Sequence, residues 1–339
     1  MLPKAKYGLR GQVPALAARC DGLERFDMSA VQPKRRRAAA VHEIRVPHVT
    51  RAGCVPCSGA QLLFLQRGSV SAYFCDQTSL VKSDIKAMTC QEIELAHWKK
   101  WESRADEVWG WQTPAGQWRA ARRAELFRSL GRMDRDSSVL EIGCGTGEFS
   151  QRVAGHVREL RATDLSPELL RRAEERVRMK CPEARVVFEI QDAMQLKLES
   201  NSFEAAFGCS VLHHINPRQA LAEIRRVLKP GGWCVFSEPN MLNPQIAVQK
   251  NIGFIKRRMG DSPDETAFFR WEMERLLVEA EFVQISVRPF DFLHPLTPVR
   301  WLKTVERFGL ILEQCPGIRQ VSGSLILCGQ KAASKSQSS

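Results

Sequence analysis

The sequence lacks any apolar run close to the ~18 residues that a membrane-spanning helix needs. Its apolar stretches are short pieces such as Leu62–Leu65. The first residues carry charges but no apolar stretch of the kind that marks a secretory signal. These two absences predict a cytoplasmic protein with no transmembrane segment.

The 11 cysteines do not make the paired pattern of a zinc site. Cys54 and Cys57 form one C-x-x-C, but a second pair at metal-binding spacing is missing. Cys20 and Cys75 lie too far away in the sequence to complete one. We therefore predict free thiols and no metal site.

The larger part of the chain has little excess of one charge sign over the other, although the whole sequence has a net charge of +12. Residues 1–87 hold 14 Lys/Arg and 6 Asp/Glu, whereas the remaining residues hold 36 and 32. A nucleic-acid partner is not expected, because the larger part carries no concentrated basic charge. Residues 1–87 indicate a poorly ordered basic extension. The abrupt change of composition after them suggests that translation begins at Met88.

Three alternating glycines, Gly143, Gly145 and Gly147, follow a short apolar run that contains Glu141. This pattern is typical of a buried strand, a tight loop and the start of a helix. A dinucleotide-binding loop needs a third glycine at the sixth position, where this sequence has Glu148. The spacing therefore excludes that motif but keeps a loop against which a ligand can lie.

Two aspartates stand at the ends of the next two predicted strands. Asp164 lies 21 residues after Gly143, and Asp192 follows the third strand. A carboxylate at such a strand end can accept hydrogen bonds from both hydroxyls of a ribose. Ser166-Pro167 can cap the next helix without help, which leaves Asp164 free for a ligand.

The fourth predicted strand is followed by Leu212-His213-His214, and residues 226–232 read R-x-L-K-P-G-G. With the glycine loop and the two aspartates, these motifs resemble the class I S-adenosylmethionine (SAM)-dependent methyltransferases. The ubiquinone/menaquinone-biosynthesis type of small-molecule enzyme is the most similar group. The resemblance covers residues 98–239.

The resemblance implies an α/β fold, a seven-stranded, mostly parallel Rossmann-like sheet flanked by helices. A helical N-terminal cap would occupy residues 88–130, and the SAM-binding domain residues 131–330. Two inserted segments, 240–262 and 291–314, would form a lid over the substrate. The polar tail 331–339 is expected to be disordered.

The resemblance also implies a role for several residues. Asp164 would bind the ribose, Asp192 the adenine amino group and the Ala193 N–H the adenine ring. A guanidinium, from Arg119 or Arg123, suits the methionine carboxylate. The predicted cofactor-binding set is Glu141, Gly143, Gly145, Gly147, Asp164, Leu165, Asp192, Ala193 and Arg119.

One family signature is absent. Nucleobase and glutamine N-methyltransferases carry Asn-Pro-Pro-Tyr after the fourth strand, where this sequence has residues 210–213, Ser-Val-Leu-His. This departure argues against nucleobase methylation. The expected acceptor is therefore an oxygen or carbon of a small or lipid-like molecule.

An oxygen nucleophile must lose its proton, so the site needs a base. His213, His214 and Glu238 are the candidates, whereas an activated carbon needs no strong base. Two other functions remain open at this stage. The chain could be a non-catalytic SAM-binding or assembly protein, or an RNA methyltransferase that uses the basic N-terminus.

Two features of the lid are also predicted. Ser262 and Glu265 have the spacing of a capping box, which predicts a helix from Ser262 to Ala280. An amphipathic helix around residues 299–312, with Trp301, Val305 and Leu312, could pack on the core or lie on a lipid.

Overall fold

The computed structural model describes residue 99 and residues 102–259 and 265–333. Several predictions lie outside the described residues. They concern the basic extension 1–87, the start at Met88, the Cys54–Cys57 pair, Ser262 and the end of the tail from residue 334.

Seven strands form one sheet in the order β3-β2-β1-β4-β5-β7-β6. The strands β1 to β5 pair in parallel, and β7 is antiparallel to both β5 and β6. The prediction of a seven-stranded, mostly parallel Rossmann-like sheet is confirmed. The strands are β1 Ser138–Ile142, β2 Glu159–Asp164, β3 Val186–Ile190, β4 Phe203–Cys209, β5 Leu228–Pro239, β6 Phe282–Phe290 and β7 Ser324–Lys331.

Helices cover both faces of the sheet. The α-helices of the described residues are α1 Ala105–Val108, α2 Pro114–Leu130, α3 Ser150–Val153, α4 Pro167–Lys180, α5 Pro217–Val227, α6 Pro244–Asn251, α7 Gly253–Met259, α8 Arg270–Glu279 and α9 Leu302–Gln314. Short 3-10 turns precede or follow several of them. None of these helices is long and apolar enough to cross a membrane.

Four helices begin with the same local signal. A side-chain oxygen accepts a hydrogen bond from a backbone N–H of the first turn, and proline occupies the first helical position. Proline has no N–H to leave unsatisfied there, and its φ already suits a helix. The four pairs are Thr113-Pro114, Ser166-Pro167, Asn216-Pro217 and Asn243-Pro244.

The helix predicted for residues 262–280 is not continuous through the described residues. Residues 265–269 are not helical, and α8 starts at Arg270. The Glu272 carboxylate accepts the Phe269 N–H at the actual start. Glu265, the expected partner in the capping box, is not in a helix and pairs with Lys250 of α6.

The core has two layers, one on each face of the sheet. Leu221 of α5 and Leu277 of α8 pack on one face. Phe127 of α2 and Val153 of α3 pack on the other face. Every residue of β1 is buried, because a parallel sheet covered on both sides needs apolar side chains in both directions.

Gly147, at the end of the glycine loop, lies against α4. Its φ is +78°, and a Cβ there would come 2.8 Å from the Ala173 Cα. We predict that Gly147→Ala lowers the free energy of unfolding by about 1–3 kcal/mol, because it adds both strain and a clash. Urea denaturation followed by circular dichroism measures the change.

Gly155→Ala is the matched control. A Cβ at Gly155 meets no atom within 4 Å, and its φ is not in the left-handed region. Its stability should stay within about 0.5 kcal/mol of wild type. Equal stabilities of the two variants would contradict the packing argument.

Candidate active site at the carboxyl edge of the sheet

A cavity of about 690 Å³ opens at the carboxyl ends of the parallel strands. Loops after β1, β2, β3 and β4 line one part of it, and residues of α6 and of the segment 291–296 line another. The volume falls in the range of ~300–1,000 Å³ that is usual for small-ligand sites. Parts of the two segments that were predicted to form a lid therefore line the same cavity as the glycine loop.

The glycine loop is held close to two other parts of the chain. The Gly145 N–H donates to the Asp164 carboxylate at 2.9 Å. Gly145 has a φ of +52°, and a Cβ added to it would lie 2.9 Å from the nearest atom of the Trp109 ring. Only glycine permits both the turn and this approach. Gly143 lines the cavity, whereas Gly145 and Gly147 shape the loop behind it.

The segment before the sheet lies on the same loop. Asp106 of α1 is buried and forms ion pairs with Arg176 at 2.5 Å and with Arg172 at 3.2 Å. It also accepts a hydrogen bond from the Thr146 hydroxyl. Trp111 packs edge-on against Phe149, with ring centroids 5.3 Å apart, and lines the cavity.

Asp164 lines the cavity, and its carboxylate already accepts two backbone hydrogen bonds. One carboxylate oxygen accepts the Gly145 N–H and the other accepts the Ser166 N–H at 3.0 Å. Burial raises the pKa of this carboxyl, although the backbone N–H groups oppose that shift. Ser166 does cap α4 by itself, as predicted, since its hydroxyl accepts the Leu169 N–H. Asp164 is nevertheless not free of the protein, because it also braces the loop.

The other predicted cofactor residues divide into two groups. Leu165, Asp192 and Ala193 line the cavity next to Asp164. Asp192 accepts the Met194 N–H at 2.8 Å with one oxygen. Glu141 is buried behind the loop, where it accepts the Ser150 hydroxyl at 2.6 Å. Burial raises the pKa of Glu141 to about 8, and it does not line the cavity.

Arg119 and Arg123 reach the cavity from α2, and both bind Asp291. The Arg119 Nε donates to Asp291 at 2.8 Å, and an Arg123 nitrogen lies 2.7 Å from the same oxygen. Burial alone would raise the pKa of Asp291, but the two guanidiniums outweigh burial and hold it at about 2. Two cations against one anion leave a net positive charge at the cavity wall.

Glu238 ends β5 and organises the segment after β4. Its Oε1 accepts the N–H groups of Val211 and Leu212 at 3.1 and 3.0 Å. Its Oε2 lies 2.7 Å from the His213 Nδ1. Glu238 is 1% exposed and does not line the cavity. The two predicted base candidates, His213 and Glu238, are therefore partners in one buried pair.

The pair continues into the lid. The His213 Nε2 lies 3.5 Å from a Glu265 oxygen, and the Lys250 ammonium of α6 pairs with the same carboxylate. Burial lowers the pKa of His213, but the two carboxylates outweigh burial and raise it to about 9. His213 therefore holds a proton at neutral pH. His214 lines the cavity, with its ring centroid 4.0 Å from that of His213.

His213, His214 and Glu265 place one potential metal-binding atom each within 4.8 Å of one another. Two imidazoles and a carboxylate are a set that binds zinc in some enzymes. The Lys250 ammonium on Glu265 and the proton on His213 oppose this, because both put positive charge where a cation would sit. The arrangement is an alternating chain of charges rather than an open ligand set.

A family model described as a methyltransferase domain matches residues 140–236. An uncharacterized methyltransferase-like protein of Schizosaccharomyces pombe is 31% identical over 169 residues, which are 49% of this chain and 61% of that protein. The 27-O-demethylrifamycin SV methyltransferase of Amycolatopsis mediterranei is 30% identical over 139 residues, which are 38% of this chain and 51% of that protein. The chain thus spans between half and two thirds of these relatives.

Residues 140–236 thus form a methyltransferase domain. The crystal structure of the [4+2]-cyclase SpnF shares its fold, with a TM-score of 0.51 at 21% identity, covering 72% of this chain and 97% of SpnF. SAM is the methyl donor of the domain's family. The closer resemblance to ubiquinone-type enzymes stays a prediction.

Several residues of the methyltransferase domain's cavity escaped the sequence analysis. Asp291, Glu265 and Lys250 all line it, and each forms an ion pair with a residue distant in sequence. Asp291 and Lys250 carried no local motif, and Glu265 had the spacing of a helix cap. Only the fold reveals that they meet the histidines and arginines.

The raised pKa of His213 makes the stability of the methyltransferase domain depend on pH. The stabilisation by protonated His213 is fully present below the unfolded value, about 6.5. It is lost as the pH rises through the folded value, about 9. We predict that the free energy of unfolding falls by about 3 kcal/mol over this range, as urea titrations at several pH values can measure.

NMR of the imidazole provides a direct readout. The His213 signal, assigned by its absence in His213→Gln, should titrate near pH 9 in wild type. In Glu238→Gln it should titrate several units lower, because burial remains while one attractive charge is gone. His156, which lies outside this network, is the internal control. A His213 titration at or below its ordinary value in wild type would contradict the ion chain.

Proposed function

We propose that this chain transfers a methyl group from SAM to an oxygen or carbon of a small or lipid-like molecule. The observation that carries the proposal is the single cavity that joins the glycine loop, Asp164 and Asp192 to His214. A cofactor region and a region with a potential base are thus contiguous. Methyl transfer requires that contiguity, because donor and acceptor must meet in line.

The residues of the cofactor region match the hydrogen-bonding groups and charges of SAM. Asp164 keeps free lone pairs after its two backbone contacts, so it can accept ribose hydroxyls. Asp192 and Ala193 follow β3, beside Asp164, where the adenine would lie. The net positive charge of Arg119, Arg123 and Asp291 suits the methionine carboxylate.

SAM, when bound, supplies a methyl group on a sulfonium, which a nucleophile takes by in-line displacement. His213 and His214 both line the cavity, and we assign the base for an oxygen nucleophile to His214, because His213 already carries a proton. Glu238 acts through His213, since it holds the 211–213 segment and does not reach the cavity. His213 and Glu238 are therefore positioning residues in this proposal.

Relatives support the acceptor class only in part. One of them, the Amycolatopsis protein, is by its name an O-methyltransferase of a small molecule. The fold alone does not dictate methyl transfer, because SpnF is named as a [4+2]-cyclase. The proposal therefore needs a test of cofactor binding and a separate test of turnover.

Calorimetric titration tests the cofactor site. Wild type should bind SAM with micromolar affinity, and Asp164→Ala should weaken binding about 100-fold, because two charge-assisted hydrogen bonds are lost. Asp164→Asn, which keeps the shape and one acceptor oxygen, should lose about tenfold. Thermal unfolding of both variants separates binding from loss of fold.

Glu168→Ala is the control for the cofactor test. Glu168 is a half-exposed acid of the same βα junction, and it pairs with Arg171 outside the cavity. Its removal should leave SAM affinity unchanged. A folded wild type that binds no SAM would overturn the assignment.

Labelled SAM tests turnover. Purified protein is incubated with labelled SAM and with polar and lipid extracts, and methylated products are identified by mass. For an oxygen acceptor, His214→Gln should lower kcat by about 10²–10⁴-fold with SAM affinity unchanged. Arg178→Gln, an exposed change on α4, is the control and should keep full activity. Tight SAM binding with no transfer to any extract would instead support a non-catalytic binding protein.

A further inference from the structure

The lid has an unusually apolar outer side. Among the described residues, 11 of the 17 large apolar side chains that are exposed belong to residues 240–259, in the first predicted lid segment, or to residues 291–323, which contain the second predicted lid segment and the residues between it and β7. They are Val248, Ile252, Phe254, Leu296, Val299, Trp301, Phe308, Leu310, Ile311, Ile318 and Val321. We call these residues, together with the exposed basic residues Arg257, Arg258, Arg300, Lys303 and Arg307, the outer lid surface.

The two lid segments contact each other through hydrogen bonds. Gln245 at the start of α6 lies 3.0 Å from the His294 ring nitrogen. The Asn243 side chain donates to the Val321 carbonyl at 2.9 Å. The segments are thus fastened together beside the cavity.

Helix α9 packs some of its apolar residues against the protein and leaves others exposed on the opposite side. Leu302, Val305 and Gly309 face the protein, where Leu302 and Val305 join a small apolar cluster with Leu293. Trp301, in the 3-10 turn directly before the helix, and Phe308 are 51% and 62% exposed. The helix therefore has a second apolar side in addition to the one that packs.

The charges of the same helix are sorted in the same way. Glu306 accepts the Trp118 indole N–H, and Glu313 pairs with Arg122, so both acids point to the protein. Their basic neighbours Arg300, Lys303 and Arg307 are exposed and form no ion pair with the described residues. The outer side of α9 is thus apolar and positively charged.

Helix α7 adds further positive charge of this kind. Arg257 and Arg258 are exposed on it, near Phe254, which is 67% exposed. Lid residues 240–259 contain basic side chains but no acidic ones. Apolar and aromatic side chains beside a basic stripe are typical of helices that lie in a membrane interface.

The outer lid surface is continuous with the cavity. Leu296 lines the cavity and is also 76% exposed, and Ile246 on α6 lines it from the other segment. Leu296 therefore belongs both to the outer lid surface and to the cavity wall.

We propose that the outer lid surface binds the surface of an anionic lipid bilayer. Its apolar side chains would enter the boundary of headgroups and acyl chains, and its basic side chains would meet lipid phosphates. A second copy of this chain is a poorer occupant, because a symmetric contact would oppose the same positive charges. Nucleic acid is also a poorer one, because most of the apolar residues are aliphatic and cannot stack on bases. The proposal does not rest on methyl transfer.

Vesicle co-sedimentation of the full chain tests the proposal. Wild type should sediment with vesicles of phosphatidylcholine and phosphatidylglycerol, bind much less to pure phosphatidylcholine, and dissociate as salt rises. The double change Trp301→Ser with Phe308→Ser should weaken binding at least about tenfold. Changing Arg300, Lys303 and Arg307 together to Gln should weaken binding to anionic vesicles about 100-fold.

Trp271→Ser is the matched control, because Trp271 is also 51% exposed but lies on α8, outside the lid segments. It should bind vesicles like wild type. All variants keep the basic N-terminal residues, so a loss of binding reports on the lid alone. SAM titration of the same samples should give wild-type affinity, which keeps this test separate from that of the proposed function.

Two results would overturn the proposal. The first is binding that is absent in wild type or equally reduced in the control. The second is a dimer in sedimentation velocity without lipid that the Trp301 and Phe308 changes abolish, since a second copy would then cover the surface.

Discussion

The buried pair of Glu238 and His213 is the contact on which the rest of the site depends. Glu238 closes β5, fixes the backbone that leaves β4 through two N–H groups, and keeps the imidazole charged. The charged ring then attracts Glu265, which in turn attracts Lys250. One carboxylate at a strand end thus determines where a lid segment can sit.

The second lid segment is attached on the same principle. Arg119 and Arg123 of α2 hold Asp291, the first residue after β6. Buried ion pairs contribute little net stability, because desolvation offsets their attraction, but breaking one leaves a costly buried charge. Such pairs therefore favour one lid position over others. The segment after β6 is therefore held by charged contacts to α2, in addition to the apolar cluster of Leu293, Leu302 and Val305.

The scaffold could be read from the sequence because its signals are local. Serine or asparagine before proline marked helix starts, and apolar runs ending at Asp164 or Asp192 marked strands. The same local logic failed for the lid. It gave Glu265 to a helix cap, and it treated His213 and Glu238 as rival bases when they are partners 25 residues apart. It also attached no role to Asp291, whose partner Arg119 is 172 residues away. Contacts of that range follow from the fold, not from spacing.

Helix α9 shows how far periodicity alone can go. The sequence grouped Trp301, Val305 and Leu312 as one apolar side, but the structure separates them. Val305 packs against the protein, whereas Trp301 is exposed beside Arg300. In the lid the acids point inward, whereas basic and large apolar side chains point outward. Exposed basic side chains are usual at a surface that faces water, but exposed large apolar side chains in such number are not. The inward position of the acids is explained by their partners on α2, since Glu306 accepts the Trp118 indole N–H and Glu313 pairs with Arg122. Water does not explain the outer side, whereas a negatively charged lipid surface accounts for its apolar and its basic residues together.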